Sequence, residues 1–146
     1  MTLTEEQIKE IAQDLECGMI CFYHQPTGAI ESHPDPNDPY FDAEPWQDLI
    51  DKIEADWDNY FTIEKMNSRE AFRVMENFAD SISDEGDRSK ALERLARRSP
   101  FRQFKDYIES SPYRRDWFDF RTQAYVGFVR EQVGEDRWLT WFFGGG

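Results

Sequence analysis

Histidine and cysteine are almost absent from this chain, with two of each in 146 residues. That scarcity removes most of the familiar ways of building a metal or catalytic centre. Cys17, Cys21, His24 and His33 are the soft metal-ligand candidates. Zinc holds its ligands about 2.0–2.3 Å from one ion, whereas residues four apart on a strand lie roughly 13 Å from each other. Cys17 and Cys21 therefore fit neither a zinc knuckle nor a disulfide, and no metal or other cofactor is expected. Such sparing use of thiols points to a reducing, cytoplasmic home.

Long apolar runs are missing too. Nothing approaches the ~18 residues that a membrane span requires, and the opening Met1-Thr2-Leu3-Thr4-Glu5-Glu6 lacks the basic and apolar parts of a secretory signal. No membrane partner is expected. There is no G-x-S-x-G, S-x-x-K, H-E-x-x-H, P-loop or G-x-G-x-x-G. Carboxylate pairs such as Asp56/Asp58 or Asp116/Asp119 could perform acid–base work, but among 30 acidic residues such pairs carry little information. The loop Asp35–Asp42 fails as a calcium site. Aligned on an EF-hand it places Pro39 and Tyr40 where a ligand and a glycine belong, and Trp46 where the bidentate glutamate belongs. The balance leans against an enzyme, with an enzyme of unrecognised type kept as an alternative.

What the chain does have is aromatic side chains and charge. Twelve Phe, six Tyr and five Trp make 16% of the residues, more than a chain unable to bury a core would carry. The net charge of −13 is uneven. Residues 1–87 hold 22 acidic and 5 basic side chains, and residues 88–146 hold 8 and 12. A field so divided suits solubility, complementarity between halves, or steering of a charged partner.

The patterning predicts one α+β domain over 1–146: a helix and small sheet with an acidic loop over 1–64, a helical part over 65–135, and a tail over 136–146. Thr4 and Gln7 have capping-box spacing, and Ile8, Ile11, Ala12 and Leu15 form one apolar face, so a helix runs from Thr4 to Leu15 and stops at Gly18. Residues 19–24 read as a strand, Pro26-Thr27-Gly28 as a turn, and 29–32 as an antiparallel return. Residues 33–42, with three prolines and three aspartates, form a loop. Pro45 opens a second helix in which Trp46, Leu49, Ile50, Ile53 and Trp57 recur at helical spacing, and 60–64 is a third strand. Asn67 and Glu70 cap a helix with the stripe Ala71, Phe72, Met75, Phe78, Ala79 and Ile82, which Ser83–Asp87 breaks. A shorter helix carries Ala91, Leu92, Leu95 and Ala96. Ser99-Pro100 and Ser111-Pro112 each start a helix. The first buries Phe101, Phe104, Tyr107 and Ile108. The second buries Trp117, Phe120, Ala124 and Phe128, and ends at Gly134. The tail from Trp138 to Phe143 is either a strand or an apolar flap.

Several phrases in this helical part are specific. Ser68-Arg69-Glu70-Ala71-Phe72 continues through Met75-Glu76-Asn77-Phe78, followed by Pro100-Phe101-Arg102-Gln103-Phe104-Lys105-Asp106, Trp117, Phe120 and Val129-Arg130-Glu131. In these the chain resembles the bacterial uncharacterised protein family UPF0158, over residues 8–133. The resemblance implies a short sheet-forming segment followed by helices. It carries no assigned activity, so no catalytic residue comes with it.

Two surfaces remain as binding candidates. Residues 31–58 hold ten carboxylates and one lysine, and Asp48, Asp51 and Glu54 lie among Trp46 and Trp57. Tryptophan anchors in an acidic field suit a basic protein partner, and a non-catalytic binding or regulatory module is the preferred reading. The alternative is a nucleic-acid-binding protein that uses Arg94, Arg97, Arg98, Arg102 and Lys105 in the basic 94–115 segment, since phosphates seek these cations and unstacked bases the interleaved rings.

Overall fold

A computed structural model describes residues 3–134. Among them, six α-helices and three strands of one antiparallel sheet make an α+β fold, with the helices dominating the C-terminal half. Contacts divide the chain into two compact units. One comprises the described residues up to Lys65 and those from Tyr125 onward, the other Met66–Ala124.

The first unit opens with helix α1, Glu5–Glu16. Thr4 caps it as the sequence predicts: its hydroxyl accepts the Gln7 N–H and the Gln7 side chain accepts the Thr4 N–H, a reciprocal pair that occupies two otherwise unpartnered donors. Gly18, at φ +88°, supplies the left-handed step into the sheet, a conformation costly for any residue with a Cβ. Strand β1, Met19–His24, is central, with β2, Ile30–Pro34, and β3, Tyr60–Ile63, antiparallel on either side. Ile8, Ile11, Ala12 and Leu15 bury the inner face of α1, which lies against β1. β2 runs two residues further than predicted, to Pro34. It lies at the sheet edge, where a proline costs no ladder hydrogen bond.

A 3-10 turn, Glu44–Trp46, leads into α2, Gln47–Ala55. The long second helix predicted to carry Trp57 is therefore interrupted: the chain turns at Asp56, and a further 3-10 turn, Trp57–Asn59, delivers it to β3. Of the five apolar residues at helical spacing only Ile53 is buried, and Trp57 is 54% exposed. Residues Tyr125–Val133 of the last helix also belong to this unit, with Val126, Val129 and Val133 buried. The Gln132 side chain brackets the end of β3, accepting the Glu64 N–H at 3.0 Å and donating to the Glu64 carbonyl at 2.7 Å.

The second unit holds α3, Ser68–Asp80; α4, Glu85–Leu95; α5, Pro100–Glu109; and the first part of α6, Arg114–Val133. Asn67 and Glu70 form the predicted capping box. The Ser83–Asp87 break is shorter than expected, because Asp84 accepts the Asp87 N–H and so starts α4 inside it. Met75, Phe78, Ile82, Leu95, Phe104 and Trp117 form the heart of the core, with Trp117 in ring contact with Phe78 and Phe104. Phe72, Tyr107 and Phe120 are only partly buried against it, and Phe101 is 40% exposed. The two Ser-Pro starts differ from expectation. Ser99 adopts φ +51° and makes no capping bond, while Ser111 bonds the Ile108 carbonyl and the Tyr113 N–H in a turn that delays α6 to Arg114. In α6 the buried positions are Trp117, then Tyr125, Val126, Val129 and Val133, while the predicted Phe120, Ala124 and Phe128 are only partly buried. The predicted tail strand or flap lies outside the described residues.

Candidate functional site

The exposed side of α2 carries the acidic residues singled out in the sequence. Asp48, Asp51 and Glu54 recur every third residue and all face solvent, along a helix about 14 Å long. Trp46, partly buried, stands at its N-terminal end, and Trp57 just past its C-terminal end. The structure places the three carboxylates on the exposed surface of α2, with Trp46 in the turn before the helix and Trp57 in the turn after it. Lys52 is the basic residue on this helix and is already paired with Glu31 of β2. Tyr40, in the preceding loop, is 93% exposed.

Trp57 begins the second 3-10 turn and packs on the sheet. Its ring centroid lies 6.4 Å from that of Phe22, which also contacts the His33 ring at 4.9 Å. Next to it, Asp56 Oδ2 lies 2.7 Å from His24 Nε2 and Asp56 Oδ1 accepts from Asn59 Nδ2 at 2.7 Å. His24 Nδ1 lies 2.7 Å from Thr27 Oγ1, and the ring contacts Tyr60 at 4.7 Å. The His24 and Asn59 hydrogen bonds hold the Asp56 carboxyl below the usual carboxylate range. An ionised carboxylate only accepts, so Nε2 carries a proton, and in the neutral ring Nδ1 accepts the Thr27 hydroxyl proton.

A hydroxyl, an imidazole and a carboxylate in this order have the form of a nucleophilic relay. The surroundings argue for a clasp. The neighbouring amides that would stabilise an oxyanion are spent: Gly28 N–H on the His24 carbonyl at 2.7 Å, Gln25 N–H on the Asn59 carbonyl at 2.9 Å, and Ala29 N–H on Thr27 Oγ1 at 3.3 Å. Sequence reasoning noted His24 but missed Asp56 as its partner, since the two are 32 residues apart and meet only through the pairing of β1 with β3.

The remaining candidate ligands are dispersed. Cys17 is exposed and Cys21 buried, and no cluster of three or more His, Cys, Asp or Glu side chains among the described residues could hold a metal ion. Burial, with Asp14 and Glu10 nearby, pushes the Cys21 thiol up to about 12. His33 is buried, its Nδ1 donating to the Pro34 carbonyl at 2.8 Å. In the acidic loop, Asp35, Asp38 and Asp42 each accept the backbone N–H two residues on, the geometry of a self-bonded loop.

The basic candidates separate into two groups in the second unit. Arg97 pairs with Glu93 at 2.6 Å. Arg94 lies 3.4 Å from the same carboxylate, off the hydrogen-bond direction, and over the Tyr107 ring at 5.0 Å. Arg98, Arg102 and Lys105 are exposed and have no ion-pair partner among the described residues. No helix among the described residues is long and apolar enough to cross a membrane.

A family model described as an uncharacterised protein family (UPF0158) matches residues 39–138. The match begins in the acidic loop and covers α2, β3 and the whole second unit, leaving α1 and the β1–β2 hairpin outside it. No curated protein and no solved structure matches the chain.

Proposed function

The chain belongs to the uncharacterised protein family UPF0158, and we propose that it is a non-catalytic binding module whose acidic α2 face takes a basic segment of a protein partner. One observation carries the reading: Trp57 is 54% exposed at the end of the strip formed by Asp48, Asp51 and Glu54. A large indole left half in water gains from being covered, and interface anchors are enriched in tryptophan. Carboxylates beside it complement lysine and arginine, steering encounter and setting register. The α2 strip lies inside the family match, as expected of a shared binding element. We place the module in the cytoplasm, in keeping with two unbridged cysteines.

The test is a titration of the full chain with a lysine- and arginine-rich peptide, read by tryptophan fluorescence and by calorimetry. Asp48→Asn/Asp51→Asn/Glu54→Gln should weaken binding at least tenfold, and Trp57→Ala by a similar factor, about 1.4 kcal/mol. Neutralising Glu6 and Glu10 on α1 should change it little. Equal loss from both sets of substitutions would show attraction to bulk charge alone and would defeat the proposal.

A further inference from the structure

The second unit carries a surface of opposite character that the acidic-face reading does not use. Met66–Ala124 holds 12 basic and 11 acidic side chains, against 5 and 19 in the rest of the chain. Three of these cations, Arg73, Arg94 and Arg97, are engaged by Glu76 and Glu93. Arg98, Arg102 and Lys105 stand apart from these pairs and are exposed. On α5, Arg102 and Lys105 lie on the exposed side, away from the buried Phe104 and Ile108, and Phe101 stands at the border between that side and the core stripe it shares with them by helical spacing; Arg98 precedes the helix. Arg102 and Lys105 are about 4.5 Å apart along the axis, and Arg98 stands in the bend two residues before its first turn. Phe101, next to Arg102, is 40% exposed and makes a T-shaped contact with the Phe72 ring, with centroids 6.4 Å apart.

We propose that this side of α5 is a binding surface for single-stranded nucleic acid. Neighbouring exposed cations match successive phosphates, and an aromatic ring braced by a neighbour and partly open to solvent is a platform for a base. A duplex keeps its base faces stacked inside, so Phe101 gives a single strand an advantage. Glu109 ends the strip on the same side, and Asp106 flanks it, so the patch spans about two turns and takes few nucleotides. The net negative charge of the chain opposes a polyanion, and salt screens that repulsion, with a Debye length of about 10 Å at 0.1 M.

The experiment is fluorescence anisotropy of a labelled single-stranded RNA of about 12 nucleotides against the full chain. The expected result is micromolar binding, with log K falling against log salt at a slope of about −2, for three phosphates neutralised. Arg98→Ala/Arg102→Ala/Lys105→Ala should weaken binding at least tenfold and flatten the slope. Phe101→Ala should weaken it about tenfold with the slope unchanged, and Phe101→Leu, which keeps apolar packing against Phe72 without the ring, should do the same. Lys9→Ala, in the other unit, should have no effect. Circular dichroism checks that each variant is folded. Absence of binding, equal affinity for a duplex of the same length, or variants that bind like the parent would each overturn the proposal. So would salt-sensitive self-association that the triple substitution abolishes while RNA stays unbound, since the patch would then be meeting the acidic strip of a second copy.

Discussion

Cys21 and His24 are three residues apart on the same strand, yet only the environment of Cys21 could be read from the sequence. A cysteine within an apolar strand run is expected in a core, and Cys21 is buried beneath α1 with its Sγ 3.9 Å from the Asp14 carboxylate. With its thiol pushed up to about 12, almost none is thiolate at pH 8. Iodoacetamide should therefore add once to the native chain, at exposed Cys17, and twice in denaturant, as read by intact mass. Two rapid additions to the native chain would contradict the burial. His24 looked like a surface histidine, and its role emerges only when β3 brings Asp56 beside it. The Asp56 carboxyl is lower in the folded chain than in the unfolded one, so its contribution is present above the unfolded value and lost as pH falls through the folded value. Stability should fall as pH drops below about 4. Asp56→Asn should flatten this acid limb in urea titrations at several pH values; an unchanged limb would mean that the clasp contributes nothing to folding.

At the scale of elements, the helix starts at Thr4 and Asn67 were legible from their reciprocal caps, whereas the Asp84 cap was hidden in a segment that reads as a break. Thr4–Gln7 and Asn67–Glu70 bond as their spacing dictates, because the partners lie within one turn and need no tertiary help. Asn67→Ala should cost about 1 kcal/mol in a denaturant titration. Ser99 shows the limit: it precedes a proline, as a capping serine does, but its left-handed backbone makes no capping bond. Ser99→Gly should then be neutral or stabilise by up to about 1 kcal/mol, the opposite sign from Asn67. Stripes on short helices were legible as far as the core is local. Trp117, buried between Phe78 and Phe104, should cost about 3–5 kcal/mol on replacement by alanine, and the partly buried Phe72 distinctly less. A Trp117→Ala change within experimental error would refute its place in the core. The end of α2 and the buried track of α6 were not legible. Trp57 continues a helical spacing that the turn at Asp56 cuts. α6 contributes residues to both units, so no single apolar stripe runs its length.

For the whole molecule, the uneven charge seen in the sequence follows the division into units: nearly balanced in Met66–Ala124, and strongly acidic elsewhere. That distribution sets a sign for the effect of salt on stability. Most of the ion pairs given between described residues have at least one partner well exposed, a setting in which a pair contributes about 0–1 kcal/mol and weakens in salt. Against this stands the self-repulsion of a chain with net charge −13, which salt also screens, and which acts among many carboxylates at once. With ten carboxylates and one lysine in residues 31–58, the repulsion is expected to outweigh the pairs. Raising salt from about 10 mM to 150 mM shortens the Debye length from about 30 Å to about 8 Å, and should raise Tm by about 3–5 °C, corresponding to roughly 1 kcal/mol for a chain of this size. Asp48→Asn/Asp51→Asn/Glu54→Gln should raise Tm at low salt and reduce its dependence on salt, since the same carboxylates that would draw a basic partner repel one another without it. A Tm that falls with salt would show that the ion pairs dominate instead. It would also remove the energetic reason for this face to seek a cation-rich partner.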